Sequence, residues 1–528
     1  CQALENIKEK KPGTFHEAMQ LFWLFALLAG VINYGRLDDY LGPYLVADLE
    51  SGRLTDEEAY RYIHSLWTMI ENRRTTVNGR IIVGGKGRKH PKEADVFLHI
   101  AMKVAKNCRY VEPQFTLRFD KETSEEIWDE ALDALGAGAT YPTLYNDDVN
   151  VPAVMYGMRV DEKTAEQYVP FGCTEFVIQG QSTGTPNICI NLLKLLTIYM
   201  NDGIDPIDGK RKSGPVPLKK LEEYQTFEEF YDGYKALLDY YLDLSVKAQY
   251  HSYEVMNQHV SFLFTSLLTD DCIARGKALL DGGVRYLGGT NETYGNINTS
   301  DSLWVIRDLV FNQKKYTLRQ LNDAMLANFN GYEALRKDCL NCDKYGNDLE
   351  TADTMANDLY EFVAKGVRNR GIAIGMQYFL IVISNNQLNT EWGNRTAASP
   401  DGRLSCMYMN PANNPQGGAN KSGPTAMLNS LAKFDAKYHG GSVQNIKFSP
   451  SMFNENRAVI KSLFKTYFAK GGCHLMVTVV DKGVLEDAVE HPENYPDLIV
   501  RVSGFSAVFV DLSPNIQQEL LSRVLYDK

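Results

Sequence analysis

Apolar residues recur at helical spacing through the first third of the chain, and the pattern changes character towards its end. Phe15 to Leu28 repeats on a helical period. The longest apolar run, Met19 to Ile32, is interrupted by Gln20 and Gly30 and predicts a buried helix. It falls short of the roughly 18–20 residues that span a bilayer. TDEEAYRYIHSLWTMIENR opens with Thr55 as an N-cap before an amphipathic stretch. VEPQFTLRF (111–119) predicts a strand and SEEIWDEALDALGAG (124–138) a helix ending on glycine. TLYNDDVNVPAV reads as a loop or strand end, and DEKTAEQY as a short helix. Residues 220–280 are helical and rich in aromatic side chains, after a surface excursion at KRKSGPVPLKK (210–220).

In the last quarter, NIKFSP, CHLMVTVV and IVRVSGFSAVFV are apolar and β-branched, as buried strands are. The helical stretches LEDAVEHPENY and SPNIQQELLSRVLYD alternate with them. Strand–helix alternation at this length predicts an α/β barrel or a doubly wound sheet. No solenoid repeat and no low-complexity linker divides the chain, which favours one large domain.

Composition narrows the function. The 528 residues are 44% hydrophobic and 23% charged, enough apolar material for a large core. A formal net charge of -11 opposes nucleic-acid binding, which needs clustered Lys and Arg. The nine cysteines are scattered, as in a chain of reduced cytoplasmic thiols rather than a secreted disulfide framework. Cys339 and Cys342 form the single C-x-x-C and read as a helix end and turn. GGKGRK (84–89) lacks phosphate-loop spacing and reads as a turn. No signal peptide is evident, and the chain begins at Cys1 rather than Met, so a natural N-terminal segment is expected to be missing.

Two motifs carry chemistry. In LIVRVSGFSAVFVDL (498–512) a glycine interrupts an apolar, β-branched segment. By itself that suggests a bulge or a close backbone approach. Here R-V-S-G-F-S-A is followed by Gln517-x-Glu519-Leu520-Leu521-x-Arg523. Far upstream stands Val169-Pro170-Phe171-Gly172-Cys173-Thr174-Glu175. Together they resemble the radical signature and the G-C-x-E cysteine loop of the glycyl radical enzymes, the pyruvate formate-lyase-like superfamily, in its glycerol/diol dehydratase-type branch. Gly35-Arg36-Leu37-Asp38-Asp39-Tyr40, Tyr145-Asn146-Asp147-Asp148, Pro400-Asp401-Gly402-Arg403 and Gly423-Pro424-Thr425-Ala426 extend the resemblance along the chain.

That resemblance implies a ten-stranded α/β barrel of two five-stranded halves, with the cysteine and glycine loops meeting inside. Residues 1–480 would form the barrel body, and 481–528 the radical segment of the same domain. It implies a radical stored at Gly504, installed by a separate activating enzyme that uses S-adenosylmethionine and an iron–sulfur cluster, with no bound cofactor or metal in the chain itself. Cys173 would relay the radical to a small organic substrate, and Glu175 would act as general base. A homodimer and an anaerobic cytoplasmic setting follow from the family. Relatives carry a few hundred further N-terminal residues, so the chain is expected to be a truncated or short member.

One cysteine at the loop, followed by Thr174, disfavours formate-lyase chemistry, and Cys473 alone near the radical segment disfavours ribonucleotide reduction. Gly30 and Val31 replace the His-Ser pair of diol dehydratases, and FVIQGQSTGTPN lacks their acidic residue after Glu175. Met409-Asn410 stands where Asp-Gly is usual. These departures imply a differently shaped pocket, for which Asn33, Met476 and Thr478 are candidate lining residues. His439 and His474 read as core histidines. The leading reading is elimination of water or another β-leaving group. An aryl-acetate decarboxylase, a formate C-acetyltransferase-like C–C lyase and an inactive small-molecule-binding homologue are the alternatives.

Overall fold

A computed structural model describes residues 2–74, 79–184, 186–260, 262–383 and 387–527. Its strands, in chain order, begin with β1 (Gly35–Arg36), β2 (Arg80–Gly84), β3 (Gln114–Phe119) and β4 (Thr143–Asn146). A hairpin follows, β5 (Tyr168–Phe171) and β6 (Glu175–Ile178), then β7 (Ser182–Thr183), β8 (Pro186–Asn191), β9 (Tyr286–Tyr294) and β10 (Tyr378–Ile383). The last are β11 (His439–Ser442), β12 (Asn445–Phe448), β13 (His474–Val479) and a second hairpin, β14 (Ile499–Arg501) with β15 (Ser506–Val508).

One sheet runs β1-β2-β3-β4-β13-β12 and is parallel except where β13 meets β4. The other runs β11-β10-β9, with β7 and β8 both pairing along β9, and is parallel throughout. The architecture is thus α/β, a curled and partly open sheet surrounded by helices. β2 and β3 are buried along their whole length, as strands covered on both faces must be. The cysteine hairpin lies between the two sheets, with β5 packed against β1 and β2 and β6 against β11. The second hairpin packs β14 on β13.

The helices form where the caps and periodicity predict. Thr55 and Glu58 make a reciprocal capping box ahead of Asp56–Asn72. Ser124 accepts from Ile127 N at the start of Glu125–Gly136. Among the described residues no helix is long and apolar enough to cross a membrane.

Three expectations need correction. The first apolar run is helical over Phe15–Leu28 but not buried, because Leu21, Leu24, Phe25, Leu27 and Leu28 lie exposed along it. Periodicity identified the element without identifying what covers it. TLYNDDVNVPAV is not a loop: β4 passes directly into the helix Asp147–Met158, which carries Pro152 inside it. Asn146 caps that helix by accepting from Asp148 N, so the polar cluster that looked like a loop is a helix start. Finally, Gly504 lies in the tight turn between β14 and β15 rather than within a strand.

Candidate active site

The cysteine loop is the tip of the β5–β6 hairpin, where Phe171 pairs with Glu175 and leaves Gly172, Cys173 and Thr174 as the turn. Gly172 has φ +54°, and a Cβ there would lie 2.6 Å from Glu175 Oε2. Conformation and space both require glycine at that position. Relieved of a side chain at Gly172, the Glu175 carboxylate folds back and accepts from Thr174 N at 2.9 Å. Asn33 Oδ1 accepts from Gly172 N at 3.2 Å. At the hairpin base, Arg118 donates to Tyr168 O at 2.7 Å and pairs with Asp147, whose Oδ1 also accepts from the Tyr168 hydroxyl. The Y-N-D-D segment therefore holds the loop that carries the cysteine.

The glycine loop is the tip of the β14–β15 hairpin, closed by Val502 N donating to Phe505 O at 3.0 Å. A Cβ on Gly504 would fall within 2.5 Å of Cys173 Cα and 2.7 Å of Cys173 O, and closer still to its Cβ. Gly504 does not have the positive φ that sets Gly172 apart. Only the closeness of Cys173 excludes a side chain here. The downstream motif buttresses this turn: Glu519 pairs with Arg523 at 2.7 Å, and Arg523 donates to Arg501 O and Val502 O.

Cys173 is buried, packed with Ala412, Val443 and Met476. Burial pushes its thiol well above the usual range, with the Glu175 and Glu292 charges adding to the effect. A thiol held neutral is suited to giving up a hydrogen atom rather than a proton. Burial and the neighbouring Glu292 raise Glu175 to about 7, against donation from Thr174 N, which lowers it. Several buried polar atoms flanking these residues have no partner within the protein: Thr174 Oγ1, Ser442 Oγ, Ser503 Oγ, Tyr145 Oη and the side chain of Asn413. Such atoms are where a polar substrate or water would be received.

Of the residues singled out from sequence, Gly504, Cys173, Glu175, Asn33 and Met476 converge. Thr478 does not join them; it lines a neighbouring cavity of about 60 Å³ with Lys447, Arg501 and Tyr526. His439 and His474 are buried with their Nδ1 atoms accepting from Gly441 N and Gln444 N. Two residues were missed. Arg80, at the start of β2, reaches the carbonyls of Gly172 and Cys173. A lone arginine heading an otherwise apolar R-I-I-V-G strand was the available signal. Glu292 on β9 accepts from the Tyr294 hydroxyl and the Cys189 thiol. Its strand, G-G-T-N-E-T-Y, is too polar to announce itself by periodicity. The His99, Glu126 and Glu130 group, which could hold a metal ion, lies on helices outside the sheets rather than at the hairpin tips.

A buried glycine pressed on a buried thiol defines the class, that of glycyl radical enzymes, and comparison with known proteins gives the family. Residues 1–388 match the pyruvate formate lyase-like family and residues 409–510 the glycine radical family. The chain belongs to the pyruvate formate lyase-like family of glycyl radical enzymes. It is 28% identical to trans-4-hydroxy-L-proline dehydratase of Clostridioides difficile, over 99% of this chain and 69% of that protein. Among solved structures it resembles the glycerol-bound B12-independent glycerol dehydratase of Clostridium butyricum, with a TM-score of 0.91 and 28% identity over 100% of this chain and 69% of that one. It also resembles hydroxyproline dehydratase of Clostridioides difficile with trans-4-hydroxy-L-proline bound, with a TM-score of 0.92 and 26% identity over 100% and 69% of the two chains. The chain thus spans about two thirds of the length of these relatives.

Proposed function

We propose that this chain is a glycyl radical lyase of the dehydratase type, acting on a small organic substrate. The observation that carries the reading is the contact of Gly504 with Cys173, with Glu175 folded beside them. A radical at Gly504 Cα takes the hydrogen atom of the Cys173 thiol, forming a C–H bond and leaving a thiyl. The thiyl takes a hydrogen atom from a substrate carbon. The Glu175 carboxylate then accepts a proton from a hydroxyl of the substrate radical, and water or another group leaves from the adjacent carbon. The product radical recovers its hydrogen atom from Cys173, and the thiyl passes back to Gly504. A carboxylate near 7 can both accept and return a proton at neutral pH. Asn33 and Met476 shape the substrate side of the thiol, with Thr478 further away.

In this reading the two sheets complete a ten-stranded barrel around the hairpins, with residues 481–528 as its radical segment. A separate S-adenosylmethionine iron–sulfur enzyme installs the radical in an anaerobic cytoplasm, and the enzyme works as a homodimer. Anaerobic activation followed by electron paramagnetic resonance tests the reading. A glycyl doublet is expected in the wild type and not in Gly504→Ala. A properly activated wild type without a doublet would sink it. Candidate alcohols and amino acids bearing a β-hydroxyl are then screened for the dehydrated product.

A further inference from the structure

Arg80 is fully buried at the start of β2, and three distant parts of the chain meet on it. Its Nη2 lies 2.8 Å from Gly172 O, 3.0 Å from Cys173 O and 3.5 Å from Gly504 O. The rest of the guanidinium is held by Gln114 Oε1 at 3.2 Å and Thr116 Oγ1 at 2.9 Å. Among the described residues all these acceptors are neutral, so the positive charge is not cancelled by a bonded carboxylate. It acts undiminished on the carbonyls it touches, in an interior where charge is weakly screened.

We propose that Arg80 is the positioning residue of the radical relay, joining the cysteine loop to the glycine loop and polarising the Gly504 carbonyl. The proposal rests on the functional reading above. A glycyl radical is stabilised by delocalisation from its amide nitrogen towards its carbonyl. A cationic donor at that carbonyl oxygen strengthens the accepting side and draws spin density off Cα. Through the same nitrogen, Arg80 fixes the backbone of Cys173 and so the reach of its thiol. The step it governs transfers one hydrogen atom, breaking the Cys173 S–H bond and forming the Gly504 C–H bond, with no net charge moved. Arg80 touches neither sulfur nor Cα. It sets the distance and the balance of the exchange.

The test uses the full chain, activated anaerobically, as wild type, Arg80→Gln, Arg80→Lys and Thr116→Val. Arg80→Gln is expected to show a wider α-proton splitting of the doublet. Its kcat should fall by about 10²-fold, as a small misplacement of reacting groups does, with KM little changed. Arg80→Lys should recover part of the splitting but not kcat, because an ammonium lacks the fork that serves several carbonyls at once. Thr116→Val keeps the charge and removes one anchor, and should lower kcat several-fold even if the Arg80 variants do not fold. A wild-type doublet accompanied by unchanged splitting and kcat in the variants overturns this inference alone. A wild type that takes up no radical overturns the functional reading instead.

Discussion

Two buried arginines on neighbouring strands hold opposite ends of one hairpin, and they are satisfied in opposite ways. Arg118, on β3, grips Asp147 through two bonds, Nε to Oδ1 at 2.9 Å and Nη2 to Oδ2 at 2.8 Å. It also stacks on the Tyr168 ring with its charge centre 3.9 Å from the ring centroid. Burial opposes its charge, but the Asp147 carboxylate more than offsets that, so the guanidinium is held above its usual range. Arg80 binds carbonyls, an amide and hydroxyls, and its Nε has no partner within the protein. Both are buried, yet only Arg118 has its charge bonded to a carboxylate. The base of the hairpin is built for stability and the tip for chemistry. That contrast implies that stability and turnover can be damaged separately.

The largest effect belongs to the tip. Cys173→Ser should retain the glycyl doublet and lose turnover below detection, since an O–H bond is too strong for a glycyl radical to break. Resonance and product assays on the same sample check both halves. Persistent turnover would remove the thiol from the reaction. At the base, Asp147→Ala leaves the Arg118 charge buried and unpaired, which costs on the order of 3–5 kcal/mol. Denaturant unfolding should show that loss, while the folded fraction still takes up a radical. If Asp147→Ala left stability intact and Arg80→Gln unfolded the chain, the division between base and tip would be reversed.

A third effect is a shift rather than a loss. Glu175 is raised to about 7 by burial and by Glu292. Its base role requires the ionised form, so kcat/KM should rise with pH through about 7. Glu292→Gln removes the like charge, eases ionisation and moves that midpoint down, so relative activity at pH 6 increases. An unmoved midpoint would mean that another group governs the limb. The same shift bears on stability. Because the folded pKa lies above the unfolded one, the contribution of Glu175 to stability is complete below the unfolded carboxylate range. It is lost as pH rises through about 7.

What was legible in the sequence follows the same division. Gly504 and Cys173 could be read because each motif is local and each residue type is chemically irreplaceable. Asp147 was visible as part of Y-N-D-D, though the helix it begins was hidden by Pro152. Arg80 could not be read, because its meaning comes from residues 172, 173 and 504, which only the fold brings to it. Glu292 was lost for a related reason. A polar strand facing an interior site shows no alternation, and its influence on Glu175 acts through space. The exposed leucines of Phe15–Leu28 show the converse limit, since a periodic apolar face does not say what lies against it.

The smallest effect calibrates the others. Thr226 caps the helix Phe227–His259 by accepting from Glu229 N at 3.2 Å and touches neither arginine. Thr226→Ala should cost about 1 kcal/mol, measured as a lower denaturant midpoint, with doublet, splitting and kcat unchanged. It thereby supplies a variant that is less stable for a reason unconnected with the hairpin. If that modest loss also lowered radical yield per folded chain, radical uptake would track global stability. The activity of Asp147→Ala could then not be separated from its unfolding. If yield holds, any deficit in Arg80→Gln at equal folded fraction belongs to the tip, because a plain stability loss does not reproduce it.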